Sequence, residues 1–393
     1  MATARLYQHD SFARTFTATV IGHGVHGDRP SLVLDRTGFY PEAGGQMADR
    51  GELTTAAGAL AVLDVQADDD GVIHHVVDGV APPVGAAIDG AIAWPRRRVH
   101  MALHTGQHLL SRALIEAASA PTVSARLGER DCTIDVTRDA IPERELAAAE
   151  DLANAVIDDD VVVRAWWPDP GELAALPLRR EPKVTAEVRV VAIGDFDVSP
   201  CGGTHVTRAA QIGGIRIVGV ERYKGMTRVY FAAGARARTL LGAHSDAVTQ
   251  VARALSCGAT DVPAAIDKLQ RALVEARGDA TAVRERLAAA LAVTLAPVVG
   301  PGEVVTTVDD AALLRPLAAA LSARGHDAVL AARTADGAQL LVARADGSAL
   351  DCGALLKRIA TAAGGRGGGK ATHAEGRIPT VTDWPATVAA ARA

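Results

Sequence analysis

The stretch VHMALHTGQHLLSRALIEAA, residues 99–118, decides how the rest of the chain is read. Its apolar residues Val99, Leu103, Leu110, Leu114 and Ile115 recur at helical spacing, so it reads as an amphipathic helix that Pro121 ends. His104 and His108 stand four residues apart, which puts both imidazoles on one helix face within reach of one ion. By itself the pair is weak evidence, since two histidines can equally decorate a half-buried helix.

Upstream, residues 15–80 alternate short β-favouring segments (16–21, 31–34, 61–65 and 72–77) with Gly- and Asp-rich turns, which predicts a small antiparallel barrel or sandwich closed by Trp94-Pro95. Downstream, a second helix is expected over residues 142–157 with Pro142 at its first position. Strand-like segments follow at 161–167, 188–193, 215–220 and 227–231, so helices packed on one face of an antiparallel sheet are expected, an α+β core. Beyond Gly234 come Ala/Leu/Arg-rich helices with one apolar stripe at Leu240, Leu241, Val248, Val251 and Leu255. A second stripe runs through Ile266, Leu269, Leu273, Val283, Leu287 and Leu291, suggesting an antiparallel helical arm or dimer surface. From Glu303 a βαβ-like alternation (304–308, 313–324, 328–332, 340–343) runs into the glycine cluster at 364–370 and predicts a small α/β terminal domain. The expected divisions are 1–94, 95–235, 236–298 and 299–393.

The helix pair gains weight from Cys201-Gly202-Gly203-Thr204-His205, where two glycines let the backbone bend so that thiol and imidazole face inward together. His104, His108, Cys201 and His205 make a four-ligand set, and mixed nitrogen and sulfur donors favour Zn²⁺ over the oxygen-seeking Mg²⁺ and Ca²⁺. Four protein ligands usually mark a closed structural site, so either one ligand is loose or the ion orients rather than activates. Residues 38–46 form a third element, with paired Gly44-Gly45 and the donor and acceptor of Gln46, although the bare pattern also suits a hairpin turn.

Composition excludes little. The chain has 393 residues, 49% hydrophobic and 22% charged, close to a soluble average. The net charge of -5 advertises no nucleic acid, so any RNA contact must come from local clusters: Arg96-Arg97-Arg98, Arg179-Arg180, or Lys224 with Arg228. Cys132, Cys201, Cys257 and Cys352 show no disulfide framework, which reads as a reducing, cytoplasmic setting. The first ten residues carry no apolar signal region and no run of ~20 apolar residues occurs, so neither export nor membrane spanning is expected.

Taken in order, LYQHDSFARTFTATV (6–20), TGFYPEAGGQMADRG (37–51), HTGQHLL (104–110), CGGTHV (201–206) and RYKGMTRVYFAAG (222–234) resemble the alanyl-tRNA editing family. That family comprises the AlaX proteins and the editing domain of alanyl-tRNA synthetase. GGRGGGKATHAEG (364–376) is similar to the end of the DHHA1-type domain of the synthetases and of long AlaX forms. The resemblance implies a zinc-dependent hydrolase that removes serine or glycine from mischarged tRNA(Ala) and spares alanine. Zn²⁺ held by His104, His108, Cys201 and His205 would polarise water or anchor the substrate, with Gln46 and the Gly44-Gly45 backbone as donors to the tetrahedral intermediate. Thr105 and Thr204 could hydrogen-bond a serine hydroxyl, or simply pack. Arg366, Gly368 and Lys370 could cradle RNA phosphates, with a flexible tail as the plain alternative.

One departure is that the polar residue usual after the first zinc motif is replaced here by Ala125, for which Thr122, Ser124 or Arg126 could substitute. No charging domain fits upstream of residue 10, so aminoacylation is not expected. A non-catalytic tRNA-binding module with a structural zinc, or editing of another aminoacyl-tRNA, are the competing readings.

Overall fold

The computed structural model describes every residue except 1, 2, 57, 183, 185, 297–301 and 393. The expected boundary at 298/299 lies outside the described residues. The chain forms two compact units, Met1–Thr249 and Gln250–Ala393.

The first unit opens with β1 (Ala4–Arg5), which pairs in parallel with β4 (Arg36–Thr37), and the single turn α1 (Leu6–His9). A closed barrel follows, built from β2 (Thr15–His26), β3 (Arg29–Leu34), β5 (Gly51–Thr55), β6 (Gly58–Ala67), β7 (Ile73–Asp78) and β8 (Ala87–Ile92) in the order β2-β3-β7-β6-β5-β8. The period of two explains it: in β8 Ile88, Gly90 and Ile92 face inward while Ala87, Asp89 and Ala91 face out. Closure leaves no open sheet edge. Phe16, Val20, Leu32, Leu34, Phe39, Leu53, Val65 and Ile73 fill the interior, each contributing ~1.5–3 kcal/mol on burial. Strands β5 and β8 were not among the expected segments.

Trp94-Pro95 follows the last barrel strand, as expected, but it also begins α2 (Trp94–Ala118), ahead of the expected start at Val99, because a proline in the first turn lacks only an N–H that would have no partner there. Ser119, at φ 47°, ends the helix. Met101, Leu103, Leu109, Leu110, Ala113 and Leu114 are buried, while Val99 and Ile115 are only half covered. Helix α2 packs on α3 (Glu143–Asp158), where Pro142 is the residue before the first helical position rather than that position itself. The expected single antiparallel sheet is two sheets. One runs β14 (Ile215–Tyr223), β15 (Met226–Ala233), β10 (Cys132–Val136), β9 (Thr122–Leu127), and the other β11 (Val163–Trp166), β12 (Val190–Ile193), β13 (Asp197–Pro200). Between β11 and β12 lies the short α4 (Pro170–Ala175), and α5 (Ala235–Ala254) follows β15.

In the second unit α6 (Val262–Leu295) leads to β16 (Glu303–Val308), α7 (Leu314–Ser322), β17 (Asp327–Thr334), β18 (Gly337–Ala343), α8 (Cys352–Ala362), β19 (Arg366–Gly369), β20 (His373–Ile378) and α9 (Trp384–Ala390). The sheet order is β16-β17-β18-β20-β19, parallel only between β16 and β17, which α7 joins. Both faces are buried, and β17 shows why: Ala328, Leu330 and Ala332 pack with α6 and α7, Val329 and Ala331 with α8 and α9. The glycine run expected as a phosphate cradle or a tail is the edge strand β19, register-paired with β20. On α6, Ala288 and Ala292 are buried, whereas Ile266, Leu269, Leu273, Val283 and Leu287 are exposed. The whole is a mixed α+β fold with a closed six-stranded barrel.

Candidate metal centre

Helix α2 carries His104 and His108 one turn apart, and the segment leaving β13 carries Cys201 and His205. All four side chains are buried, and one ligand atom from each lies within 4.8 Å of the others. Cys201 Sγ stands 3.4 Å from His104 Nε2 and 3.2 Å from His205 Nε2. A tetrahedral ion with bonds of ~2.0–2.1 Å to nitrogen and ~2.3 Å to sulfur sets N···S edges of about 3.6 Å, so the quartet is spaced for one such ion.

Each histidine has its other nitrogen held. His104 Nδ1 donates to Gln46 Oε1 at 2.6 Å, His108 Nδ1 to Asp197 Oδ2 at 3.1 Å, and His205 Nδ1 to Thr105 Oγ1 at 3.1 Å. Thr105 accepts there because its own proton goes to the Met101 carbonyl at 2.9 Å. Fixing Nδ1–H leaves each Nε2 lone pair free, the tautomer a metal needs. Gln46 in turn donates from Nε2 to Thr204 Oγ1 at 2.8 Å, and Asp197 also accepts from Arg179 Nε at 2.5 Å and Ser199 Oγ at 3.1 Å.

Burial pushes the Cys201 thiol up, but the imidazoles of His104 and His205 outweigh it and hold it well below the usual thiol range. Burial lowers His205 to about 3. His104 is lowered by the same cause. His108 is raised, because Asp197 and Cys201 outweigh its burial. Asp197 stays ionised: His108 and Arg179 overcome its burial and bring it to about 2. A thiolate beside mostly neutral imidazoles is the ligand-ready state.

Two devices hold the ligand segment. A Cβ on Gly203 would meet His104 Cε1 at 2.2 Å, so the ring packs flat on the glycine backbone. Arg189 donates to the Cys201 and Gly203 carbonyls at 2.8 and 3.0 Å. A third ties α2 to the barrel: Arg97, fully buried, pairs with buried Asp49, donates to the Gly38 carbonyl at 2.6 Å and to the Ser11 carbonyl at 3.0 Å, and Asp49 accepts from Tyr40 N at 2.7 Å.

His104 and Cys201 reach the floor of a cleft of about 700 Å³, which Gly44, Gly202 and Gly203 also line. The sequence reading placed Gln46, Thr105 and Thr204 against substrate; each is fully buried, and its polar atoms are spent on the histidines and on one another. Gly45, at φ 84°, does not line the cleft but abuts the Ala125 carbonyl, where a Cβ would lie 2.2 Å away. Thr122, Ser124 and Arg126, the candidates to replace the missing polar group, do not line the cleft, and the Thr122 and Ser124 hydroxyls donate to Ser111 and Asp135 at 2.8 Å each. Arg366, Gly368 and Lys370 are exposed in the second unit.

The expected basic clusters are largely spent within the fold. Arg97 is sealed against Asp49, Arg96 bonds Glu129, Arg179 is buried on Asp197, and Arg228 bonds Asp135. Arg180 and Lys224 are exposed. Asp197, Arg189 and Arg97 were not singled out as site residues, and no local spacing marks them: His108 and Asp197 are 89 positions apart.

Residues 188–230 match the threonyl and alanyl tRNA synthetase second additional domain, and residues 13–96, the barrel and the start of α2, match the class II (A) tRNA synthetases. The alanine–tRNA ligase of Pyrobaculum neutrophilum is 34% identical over 389 residues, covering 95% of this chain and 42% of that protein. The enzyme of Halorubrum lacusprofundi is 32% identical over 395 residues, covering 96% and 42%, and that of Halobacterium salinarum 34% over 390, covering 92% and 41%. The chain thus spans about two fifths of the length of these relatives. A crystal structure of the C-Ala domain from Aquifex aeolicus alanyl-tRNA synthetase aligns with 23% of this chain and 85% of its own at 20% identity, with a TM-score of 0.21, too low to bear on the fold.

Proposed function

This chain is related to the alanyl-tRNA synthetases along nearly its whole length, and from that premise we propose that it is a trans-editing hydrolase. It deacylates Ser-tRNA(Ala), Gly-tRNA(Ala) or both, and spares Ala-tRNA(Ala). The observation that carries the proposal is the buried His₃Cys quartet, two of whose members, His104 and Cys201, line the cleft.

The N₃S donor set, with every Nδ1 committed, suits Zn²⁺. When bound, zinc supplies a Lewis-acid charge for polarising or anchoring the reacting ester. The chain's own groups do the rest. Gln46, Thr105 and Asp197 hold the three imidazoles in one tautomer and orientation, and Thr204 holds Gln46. Their part in the reaction is therefore one of positioning. Gly44, on the cleft wall, can bring a backbone N–H to a developing oxyanion. Editing answers a limit of binding, since a small pocket discriminates poorly between near-isosteric amino acids.

The four free cysteines support a reducing, cytoplasmic setting. No described helix is long and apolar enough to cross a membrane. Exposed Arg366 and Lys370 on and beside β19 are proposed to meet tRNA phosphates, and the exposed apolar side chains of α6 to meet a second copy of the chain.

A second reading, a tRNA-binding protein with a structural ion, is favoured by the full set of four buried ligands. Deacylation of Ser-tRNA(Ala) and Ala-tRNA(Ala) separates the two when wild type is compared with Cys201→Ala alongside zinc content and circular dichroism. Serine release that spares alanine, lost in a folded Cys201→Ala, is expected; a zinc-loaded wild type that hydrolyses neither ester leaves the binding reading.

A further inference from the structure

Arg189 lies in the cleft wall at only 6% exposure. Its Nε donates to the Gln8 carbonyl at 3.1 Å, and its Nη1 serves the Cys201 and Gly203 carbonyls. These bonds leave Nη2 unused among the described residues, so a buried cation keeps donors for something in the cleft. Beside it the rings of His9 and Trp167 stack, centroids 4.7 Å apart and 29° between planes, and Arg189 Cζ stands 5.8 Å from the Trp167 ring centroid. Both rings line the same cleft, and Trp167 remains 38% exposed. Arg5 and Arg180 line it too, giving three guanidinium groups against the carboxylates of Glu181 and Glu187.

An open aromatic pair beside a positive wall is the chemistry that receives an unpaired nucleotide, rings for the base and guanidinium for the phosphate. We propose that this wall is the subsite for the terminal nucleotide of the tRNA. The base packs on the His9–Trp167 pair, and an oxygen of that nucleotide's phosphate accepts from Nη2 of Arg189. The identity of the ligand rests on the editing reading; capture of a nucleotide does not require hydrolysis.

Calorimetric titration of the full chain with 5′-AMP, and in parallel with adenosine, tests the subsite. AMP is expected to bind saturably and more tightly than adenosine. Trp167→Ala, at an exposed position, weakens AMP about tenfold, and Arg189→Gln removes the advantage of AMP over adenosine. AMP binding by a wild type that deacylates nothing would sink the editing reading alone. Active deacylation in wild type, with no AMP binding and no change in KM or kcat in Trp167→Ala, overturns the subsite. Should Arg189→Gln not fold, because it also holds the ligand segment, Trp167→Ala decides.

Discussion

Asp197 shows what single residues contribute and why some escaped the sequence. It touches no ligand atom of the quartet, yet it fixes the tautomer of His108 and neutralises Arg179. Removing its charge in Asp197→Asn is expected to weaken metal binding about 10–100-fold, as loss of such outer partners generally does. Competition with a zinc chelator measures it, and unchanged affinity would show that His108 is oriented by something else. The clustering of His104, His108, Cys201 and His205 was legible because their spacing is local, four residues in a helix and four across Gly202-Gly203. Asp197 and Arg189 were not, because their partners meet them only through the fold. His75 makes the same point inside the barrel: its Nδ1 donates to the Leu32 carbonyl at 3.1 Å, its Nε2 accepts from Thr37 Oγ1 at 2.8 Å, and burial lowers its pKa to about 4. The unfolded imidazole takes up a proton below pH 6.5 that the folded one refuses. Stability is therefore full above pH 6.5 and falls as the pH drops toward 4, by ~3 kcal/mol from this group. Urea unfolding at pH 7 and pH 5 should show a smaller difference in His75→Gln than in wild type; equal differences would assign the pH dependence elsewhere.

Among the elements, α2 was the most legible because a long periodic segment overrides local ambiguity. Its start was misplaced because Trp94-Pro95 reads as a stop in isolation, whereas proline is tolerated in a first turn. Strands β9, β10 and β13 were not among the expected segments, because polar residues such as Ser124, Arg126, Asp135 and Ser199 break the β-favouring runs that marked β11 and β12. Helix α2 is more than a ligand carrier. Through Arg97 it grips Asp49 and the Gly38 and Ser11 carbonyls, joining the barrel's glycine-rich segment to the core that holds the quartet. Truncation leaves Asp49 a buried, unpaired carboxylate, so Arg97→Ala is expected to cost ~3–5 kcal/mol. Chemical denaturation measures this, and a loss below 1 kcal/mol would place the pair among the weak surface bridges despite its burial.

For the whole molecule, the apolar surface left on α6 sets the next question. Ile266, Leu269, Leu273, Ala276, Ala280, Val283 and Leu287 fall at alternating steps of three and four residues, the spacing of a coiled-coil seam. Of these, the five large residues are exposed, while Ala288, next after Leu287, and Ala292 are buried against the core that α7 shares. The helix is thus anchored at its C-terminal end, and its seam is uncovered along the rest. The sequence reading saw the stripe but could not separate its two fates, since a period alone does not say which turns have a partner. Burying such side chains contributes ~1.5–3 kcal/mol each, enough for a stable pair of helices once association entropy is met. Sedimentation equilibrium should therefore find a dimer in wild type and a monomer in the double variant Leu269→Glu, Leu273→Glu, with circular dichroism unchanged because neither residue packs on its own unit. A monomeric wild type would remove self-association as the use of this seam, whereas a dimer that survives both glutamates would move the contact to another surface.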